Sequence, residues 1–409
     1  KGRQMIAKTS KLAQEMYNCI TTYGDSVTPE TSIMIRQNGI INFRMIKNLG
    51  NQWDEYPGFK HTDNDRFCKE KNEPQDLEVW NGSQWTKIRK VIRHKVDKKI
   101  YKVLTHTGYV EVTEDHSLIS SNMEYIKPKD IGVGSDLYNG YPKVDYVEKL
   151  TFDDINNYKP TTKLEKEAYI LGLFYADGSC GKYNYEKTIQ YSWAINNQDK
   201  NLLEKCSLYI NEIFDDIGSK ILETMKSSGV YKLVLVGNKK DTIIKYRNLF
   251  YEEKTKKVPN KIINDSHTHL AFISGYYTGD GSRNEINHLG KKSKVIRFCN
   301  KGQIGSSGLY YIMKCLGFDV SINTRSDKTN IFRLTSSHSM RKEKGKVKKI
   351  ELMDYKPDYV YDIETECGIF QAGIGDLIVK NTDSCYVKFI VDKEKFPEGP
   401  WCKKGDWVI

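Results

Sequence analysis

Apolar positions recur with two different periods along this chain, and the changes of period mark its organisation. Near the start, Met5, Ile6, Leu12, Ala13 and Met16 fall on one helical face, and a strand-like run continues to Asp25. Residues 108–119 read as a strand entering a turn, and residues 231–236 and 331–335 as two further strands. Residues 168–179 and 271–282 are apolar with small residues on one side, which predicts two buried helices. Residues 382–389 alternate as a strand does, while residues 51–72 are polar without a clear period and predict a loop. The two end fragments are too short to bury a core alone.

The two apolar helices are an internal repeat. Ala168/Ala271, Ile170/Ile273, Gly172/Gly275, Asp177/Asp280, Gly178/Gly281 and Ser179/Ser282 are identical pairs, six of twelve positions. Small residues let two helices approach closely, which would set the terminal aspartates side by side. An Asp at a helix C-terminus opposes the helix dipole, so its repetition points to chemistry rather than to structure.

Composition narrows the classes. The chain has 409 residues, 38% hydrophobic and 29% charged, which predicts two or three globular domains. No run approaches the roughly 20 apolar residues of a spanning helix, and the start is not a signal peptide, so no membrane partner is expected. A net charge of +11 fits a polyanionic partner, nucleic acid first. Nine cysteines without a C-x-x-C pair argue against a disulfide framework and for a reducing interior, nuclear or cytoplasmic.

Placed end to end, residues 23–25 and 382–384 spell Tyr-Gly-Asp-Thr-Asp-Ser. Two carboxylates flanking one residue at a hairpin tip suit the Mg²⁺ ions of nucleotidyl transfer. That hexapeptide, with the upstream Gly-Arg-Gln-Met-Ile of residues 2–6, resembles the catalytic turn of family B DNA polymerases. The resemblance implies that Asp25 and Asp383 are metal ligands of a polymerase palm, with dNTP and primer-template as its partners. In this chain the motif is broken by residues 26–381, an insertion of 381 − 26 + 1 = 356 residues.

The edges of the insertion are reactive. Ser26 can attack the Asp25 carbonyl, Thr382 can take over the acyl group, and Asn381 can cyclise to release the insertion. Residues 26–31 (Ser-Val-Thr-Pro-Glu-Thr), Thr113 and His116 in a T-x-x-H arrangement, and residues 360–381 then resemble the ordered blocks of inteins. By that resemblance Thr113 and His116 polarise the Asp25–Ser26 amide, Asp362 assists the transfer to Thr382, and splicing needs no cofactor. The chain departs from the usual pattern in two places: Lys380 stands where His usually precedes the terminal Asn, and Cys367-Gly368-Ile369 lacks the His common before Phe370.

The insertion exceeds the roughly 130–150 residues of one compact splicing unit. The helical repeat resembles the two LAGLIDADG motifs of single-chain homing endonucleases, which implies that Asp177 and Asp280 hold Mg²⁺ and act in cutting double-stranded DNA. Lys232 and Arg333 lie 55 and 53 residues beyond these aspartates and are expected DNA-binding residues, as is Lys256 in a further family block.

The expected architecture is therefore multi-domain. Residues 1–25 and 382–409 are polymerase pieces flanking an all-β Hint-type splicing domain, residues 26–150 and 345–381. Into that domain is inserted an α/β LAGLIDADG endonuclease at 160–338, with two pseudo-symmetric αββαββα halves acting as a monomer. A large DNA virus is among the expected hosts. Two other readings compete: a splicing-defective chain that acts only as a site-specific nuclease, and a DNA-binding module without catalysis.

Overall fold

The computed structural model describes residues 20–22, 26–55, 69–95, 98–144, 150–185, 188–224, 228–288, 291–325, 327–339, 342–354, 356–381 and 386–388. The expected N-terminal helix, Asp25, Thr382 and Asp383 lie outside them. The segments flanking the insertion nevertheless meet: Ile20–Thr22 pairs antiparallel with Tyr386–Lys388, Thr22 opposite Tyr386.

The first part of the insertion is β-rich. Strands β1 (Ser32–Gln37) and β2 (Ile40–Met45) form a hairpin closed by Asn38 and Gly39, both at positive φ, as a two-residue turn requires. β3 (Glu78–Trp80) and the long β4 (Trp85–Lys95) extend that sheet. β5 (Ile100–Thr105) and β6 (Gly108–Thr113) form a second hairpin. Part of the polar stretch expected as a loop is strand instead: Lys69–Asn72 pairs with β4, whose length leaves an edge free for it.

The middle is built twice. α1 (Lys163–Asp177) leads into β7 (Gly178–Tyr185), β8 (Thr188–Asn197), α2 (Lys200–Ile213), β9 (Ile217–Glu223), β10 (Tyr231–Gly237) and α3 (Lys240–Phe250). α4 (Ser266–Asp280) leads into β11 (Ser282–His288), β12 (Lys291–Lys301), α5 (Gln303–Cys315), β13 (Asp319–Thr324) and β14 (Ile331–Ser337). The two four-stranded sheets share one order, β7-β8-β10-β9 and β11-β12-β14-β13. The chain then returns to the first part through β15 (Val347–Leu352) on β5, β16 (Tyr359–Thr365) on β4, and β17 (Ile369–Gln371) beside β18 (Ile378–Lys380).

α1 starts at a capping box between Thr162 and Glu165, and α4 at Asp265, whose side chain accepts the His267 N–H. The two helices run together at backbone contact. A Cβ at Gly172 would sit 1.9 Å from the Phe272 carbonyl oxygen, and one at Gly275 would sit 2.1 Å from that of Tyr169. The repeated glycines are what permit this approach.

The β-rich part and the α/β part share a core. Met34, Phe43, Leu104 and Tyr109 pack into the same buried cluster as Phe174, Tyr276 and Leu334. Polar bonds reinforce the junction. Asn264 donates to the Ile41 carbonyl and accepts its N–H, each at 2.8 Å, and Glu252 accepts from Met45 and Asn48. No helix among the described residues is long and apolar enough to cross a membrane.

Candidate functional site

Two separate centres gather the candidate residues. The first lies where Val27 is stitched between two strands. Its N–H donates to the Tyr361 carbonyl at 2.8 Å and its carbonyl accepts the Tyr361 N–H at 2.9 Å, while Val112 bridges it from the other side. Ser26 is thereby delivered to Thr113. The Ser26 N–H donates to Thr113 Oγ1 at 3.3 Å, and the Thr113 N–H donates to the Ser26 carbonyl at 3.0 Å.

His116 follows on the turn after β6, its N–H donating to the Thr113 carbonyl at 3.0 Å. Two residues on, Leu118 pairs with Val379, which draws the end of the insertion in beside the beginning. Asn381 then donates its N–H to the Gly368 carbonyl at 2.8 Å. Asp362 occupies the strand next to Val27 and accepts the Ile363 N–H at 2.8 Å. Exposure is 0% for Ser26, Thr113, His116 and Asn381 and 2% for Asp362. Sequence positions 26, 113, 116, 362 and 381 thus converge on one dry region.

Burial holds the His116 imidazole neutral at pH 7, pushing it down to about 4 against the opposing pull of Asp115 and the Ser26 backbone. The nearby Lys380 charge pushes the same way as burial. Lys380 itself is 9% exposed, with its ammonium 5.0 Å from the Tyr125 ring centre. Among the described residues neither His116 ring nitrogen nor Ser26 Oγ makes a good hydrogen bond. A buried hydroxyl and a neutral base without such a bond are costly as structure and useful as reagents.

The second centre is the end of the helix pair. Asp177 and Asp280 close α1 and α4, and a Cβ at Gly279 would sit 3.0 Å from Asp177 Oδ2, so the missing side chain leaves room for that carboxylate. Burial raises both carboxyl groups above their ordinary range, and the Asp177 charge raises Asp280 further. Lys256 opposes both shifts. Its ammonium donates to the carbonyls of Phe174, Tyr175 and Gly178 at 3.2, 3.0 and 2.6 Å, neutralising the negative end of α1. Burial pushes this lysine down to about 8 despite those partners. This lysine, expected to bind DNA, thus has its ammonium engaged at the C-terminal end of α1, within electrostatic range of both carboxylates.

Lys232 and Arg333 are half-buried on the strand faces turned away from the core. The internal repeat has an offset of 280 − 177 = 103 residues, and 196 + 103 = 299. Lys232 pairs with Asn196 and Arg333 with Cys299, so the two cations hold equivalent positions.

Asn197 was not singled out from the sequence. Its amide donates to Asp177 Oδ2 at 2.8 Å. A usable signal existed: Asn197 and Asn300 both follow their aspartate by 20 residues. Among the described residues no group of three or more His, Cys, Asp or Glu side chains gathers as a metal site. The two carboxylates with the carbonyls at their helix ends are nonetheless hard oxygen donors of the kind Mg²⁺ takes, so the donor set fits that ion.

No family model matches the chain. It is 44% identical over 97% of its length to a DNA polymerase of Acanthamoeba polyphaga mimivirus, of which it covers 23%. It is 26% identical over 69% of its length to a DNA polymerase of Thermococcus sp. (strain GE8), covering 16% of that protein. The chain thus spans under a quarter of these curated relatives. Among solved structures, the homing endonuclease I-DmoI in complex with DNA and Mn aligns with 43% of this chain and 91% of its own at 19% identity and TM-score 0.34. The transcription factor IIB Mvu mini-intein aligns with 87% of this chain and 100% of its own at 12% identity and TM-score 0.31.

Proposed function

We propose that this chain, a relative of one segment of DNA polymerases, is a polymerase fragment whose residues 26–381 splice themselves out and carry a DNA nuclease. The observation that carries the reading is the convergence of Ser26, Thr113, His116, Asp362 and Asn381 on one buried centre between paired strands. Residues 26–150 and 345–381 act as the splicing domain, residues 160–338 as the nuclease, and residues 1–25 and 382–409 as the polymerase pieces.

Splicing runs in balanced steps. Ser26 Oγ attacks the Asp25 carbonyl, an ester forms, and the Asp25–Ser26 amide breaks. The neutral His116 ring accepts the hydroxyl proton and returns it to the Ser26 nitrogen, while Thr113 polarises the amide. Thr382 Oγ then attacks the ester, and Asp362 takes the Thr382 proton and passes it to Ser26 Oγ, which leaves as a hydroxyl. Finally the Asn381 side-chain nitrogen attacks its own carbonyl, closing a succinimide and freeing the Thr382 amine. That amine attacks the Asp25–Thr382 ester and leaves a peptide bond. The product restores Tyr-Gly-Asp-Thr-Asp-Ser, in which Asp25 and Asp383 serve a polymerase that takes dNTP and primer-template.

For the nuclease, Asp177 and Asp280 would hold Mg²⁺, which when bound supplies an activated water and charge neutralisation at phosphate. The chain's own residues set the rest. Asn197 fixes the orientation of Asp177, Lys256 balances the paired negative charge, and Lys232 and Arg333 hold double-stranded DNA on the outer sheet faces. A soluble intracellular setting, as in a DNA virus and its host cell, suits all three activities.

The test is substitution at the attacking oxygen: Ser26→Ala in the whole chain leaves residues 1–25 attached, and joined product appears only with Ser26 present. A nuclease that does not splice is the reading favoured by Lys380 in place of the usual His. That reading stands if the unmodified chain stays intact while cutting DNA.

A further inference from the structure

A β-bulge aims one lysine of the β-rich part onto the nuclease sheet. In the pairing of β15 with β5, Val347 faces Thr105 and Lys349 faces Leu104, which leaves Lys348 as the extra residue. Such bulges re-aim side chains. The Lys348 ammonium donates to the Ile322 carbonyl and, at 3.0 Å, to Asn323 Oδ1. Asn323 lies directly opposite Arg333 in the β13–β14 pairing, so their side chains leave the sheet on the same face. The intervening Ile322 and Leu334 are buried on the other face at 0% exposure. Lys348 therefore joins the face that carries Arg333.

Lys348 is not alone there. Lys342 is exposed, and His106 is half-buried with its carbonyl accepting the Ile322 N–H at 3.0 Å. After burial, the Lys348 and Lys342 charges are what push the His106 imidazole down. Lys348 is itself pushed down to about 8, by burial and then by Lys342. None of the three has a carboxylate partner among the described residues, and the adjacent Glu343 is taken by Lys346 at 2.7 Å. The two lysines are mutually repelling cations on a polar sheet face, an arrangement stabilised by a polyanion laid across them. Among the described residues the first half shows no such extension: the residue opposite Lys232 on β9 is Leu222, itself 41% exposed.

We infer that Lys348, Lys342 and His106 of the β-rich part contact the phosphate backbone of duplex DNA, extending the Arg333 face across the domain junction on one side only. This rests on the nuclease reading above. The DNA is thus bound asymmetrically, with phosphates beyond the second half held by the domain that carries Ser26 and Asn381.

The experiment is the salt dependence of binding, measured with the whole chain in EDTA so that DNA stays uncut. The duplex used encodes residues 1–25 joined directly to 382–409. Neutralising each phosphate-bound lysine lowers the log–log salt slope by about 0.9. Lys342→Gln plus Lys348→Gln is expected to lower it by about 2, Lys342→Gln alone by about 1, and Lys348→Arg to leave it unchanged. Lys342 is exposed, so its single variant keeps the test valid if the Lys348 variant unfolds. Unaltered slopes in both Gln variants, with tight binding by the parent chain, overturn the inference and leave the nuclease reading in place. No duplex binding by the parent chain removes both.

Discussion

Ser26 and Thr113 are bonded in both directions: the Ser26 N–H reaches Thr113 Oγ1 at 3.3 Å, and the Thr113 N–H reaches the Ser26 carbonyl at 3.0 Å. The side-chain bond falls on the nitrogen that must leave in the first step. Thr113→Val keeps the shape and removes the oxygen. Loss of one positioned polar group of this kind costs about 10²-fold in rate. The first-order appearance of joined product, followed by gel or mass spectrometry, should slow by about that factor with no change in melting temperature beyond a few degrees.

His116 gives a pH signature. Its folded-state value of about 4 lies below the ordinary 6.5, so the unfolded chain takes up the proton first on acidification. The stability due to keeping the ring neutral is present above 6.5 and is lost as pH falls toward 4. His116→Gln should therefore lose less melting temperature than the parent between pH 7 and pH 4.5. Equal losses would show that the ring is not held neutral by burial.

Asp177 and Asp280 carry the opposite sign. Both carboxyls are raised by burial, so their favourable contribution is present below the unfolded value and lost as pH rises through the raised folded one. Asp177→Asn plus Asp280→Asn should melt higher than the parent at pH 7 and equally at pH 3. The same variant should bind the duplex yet fail to cut it with Mg²⁺. Cutting at the parental rate would remove these residues from the metal role.

Gly172 tests the helix pair. An added Cβ would lie 1.9 Å from the Phe272 carbonyl oxygen, so the helices must part. Overpacking of a core contact costs about 1–3 kcal/mol and sometimes more. Gly172→Ala should lower the melting temperature and abolish DNA cutting by displacing Asp177 from Asp280. Gly132→Ala, where a Cβ meets nothing within 4 Å, should do neither.

Local chemistry was readable from residue order alone wherever it depends on close neighbours. Thr113 and His116 three residues apart, the glycines of the helical repeat, and the aspartates at its ends each announce themselves. Lys232 and Arg333 were readable only as similar offsets from their aspartates, 55 and 53 residues; their equivalence shows in the strand pairing opposite Asn196 and Cys299. What could not be read depends on distant strands meeting. Val27 locks between Val112 and Tyr361 only once the chain has returned through the second sheet. The Lys348 bulge has meaning only beside β13, and Lys256 gives no hint that its ammonium caps α1 from 78 residues away in sequence. The polar stretch before residue 73 misleads in the other direction, since Lys69–Asn72 becomes strand only because β4 supplies an edge.

The most direct test of the account is the mass of the whole chain after expression and incubation at neutral pH. Splicing predicts two species: a 53-residue peptide joining residues 1–25 to 382–409 through an Asp25–Thr382 bond, and the free 356-residue insertion. A chain of 409 residues that persists unchanged, with Ser26, Asn381 and Thr382 all intact, would contradict it.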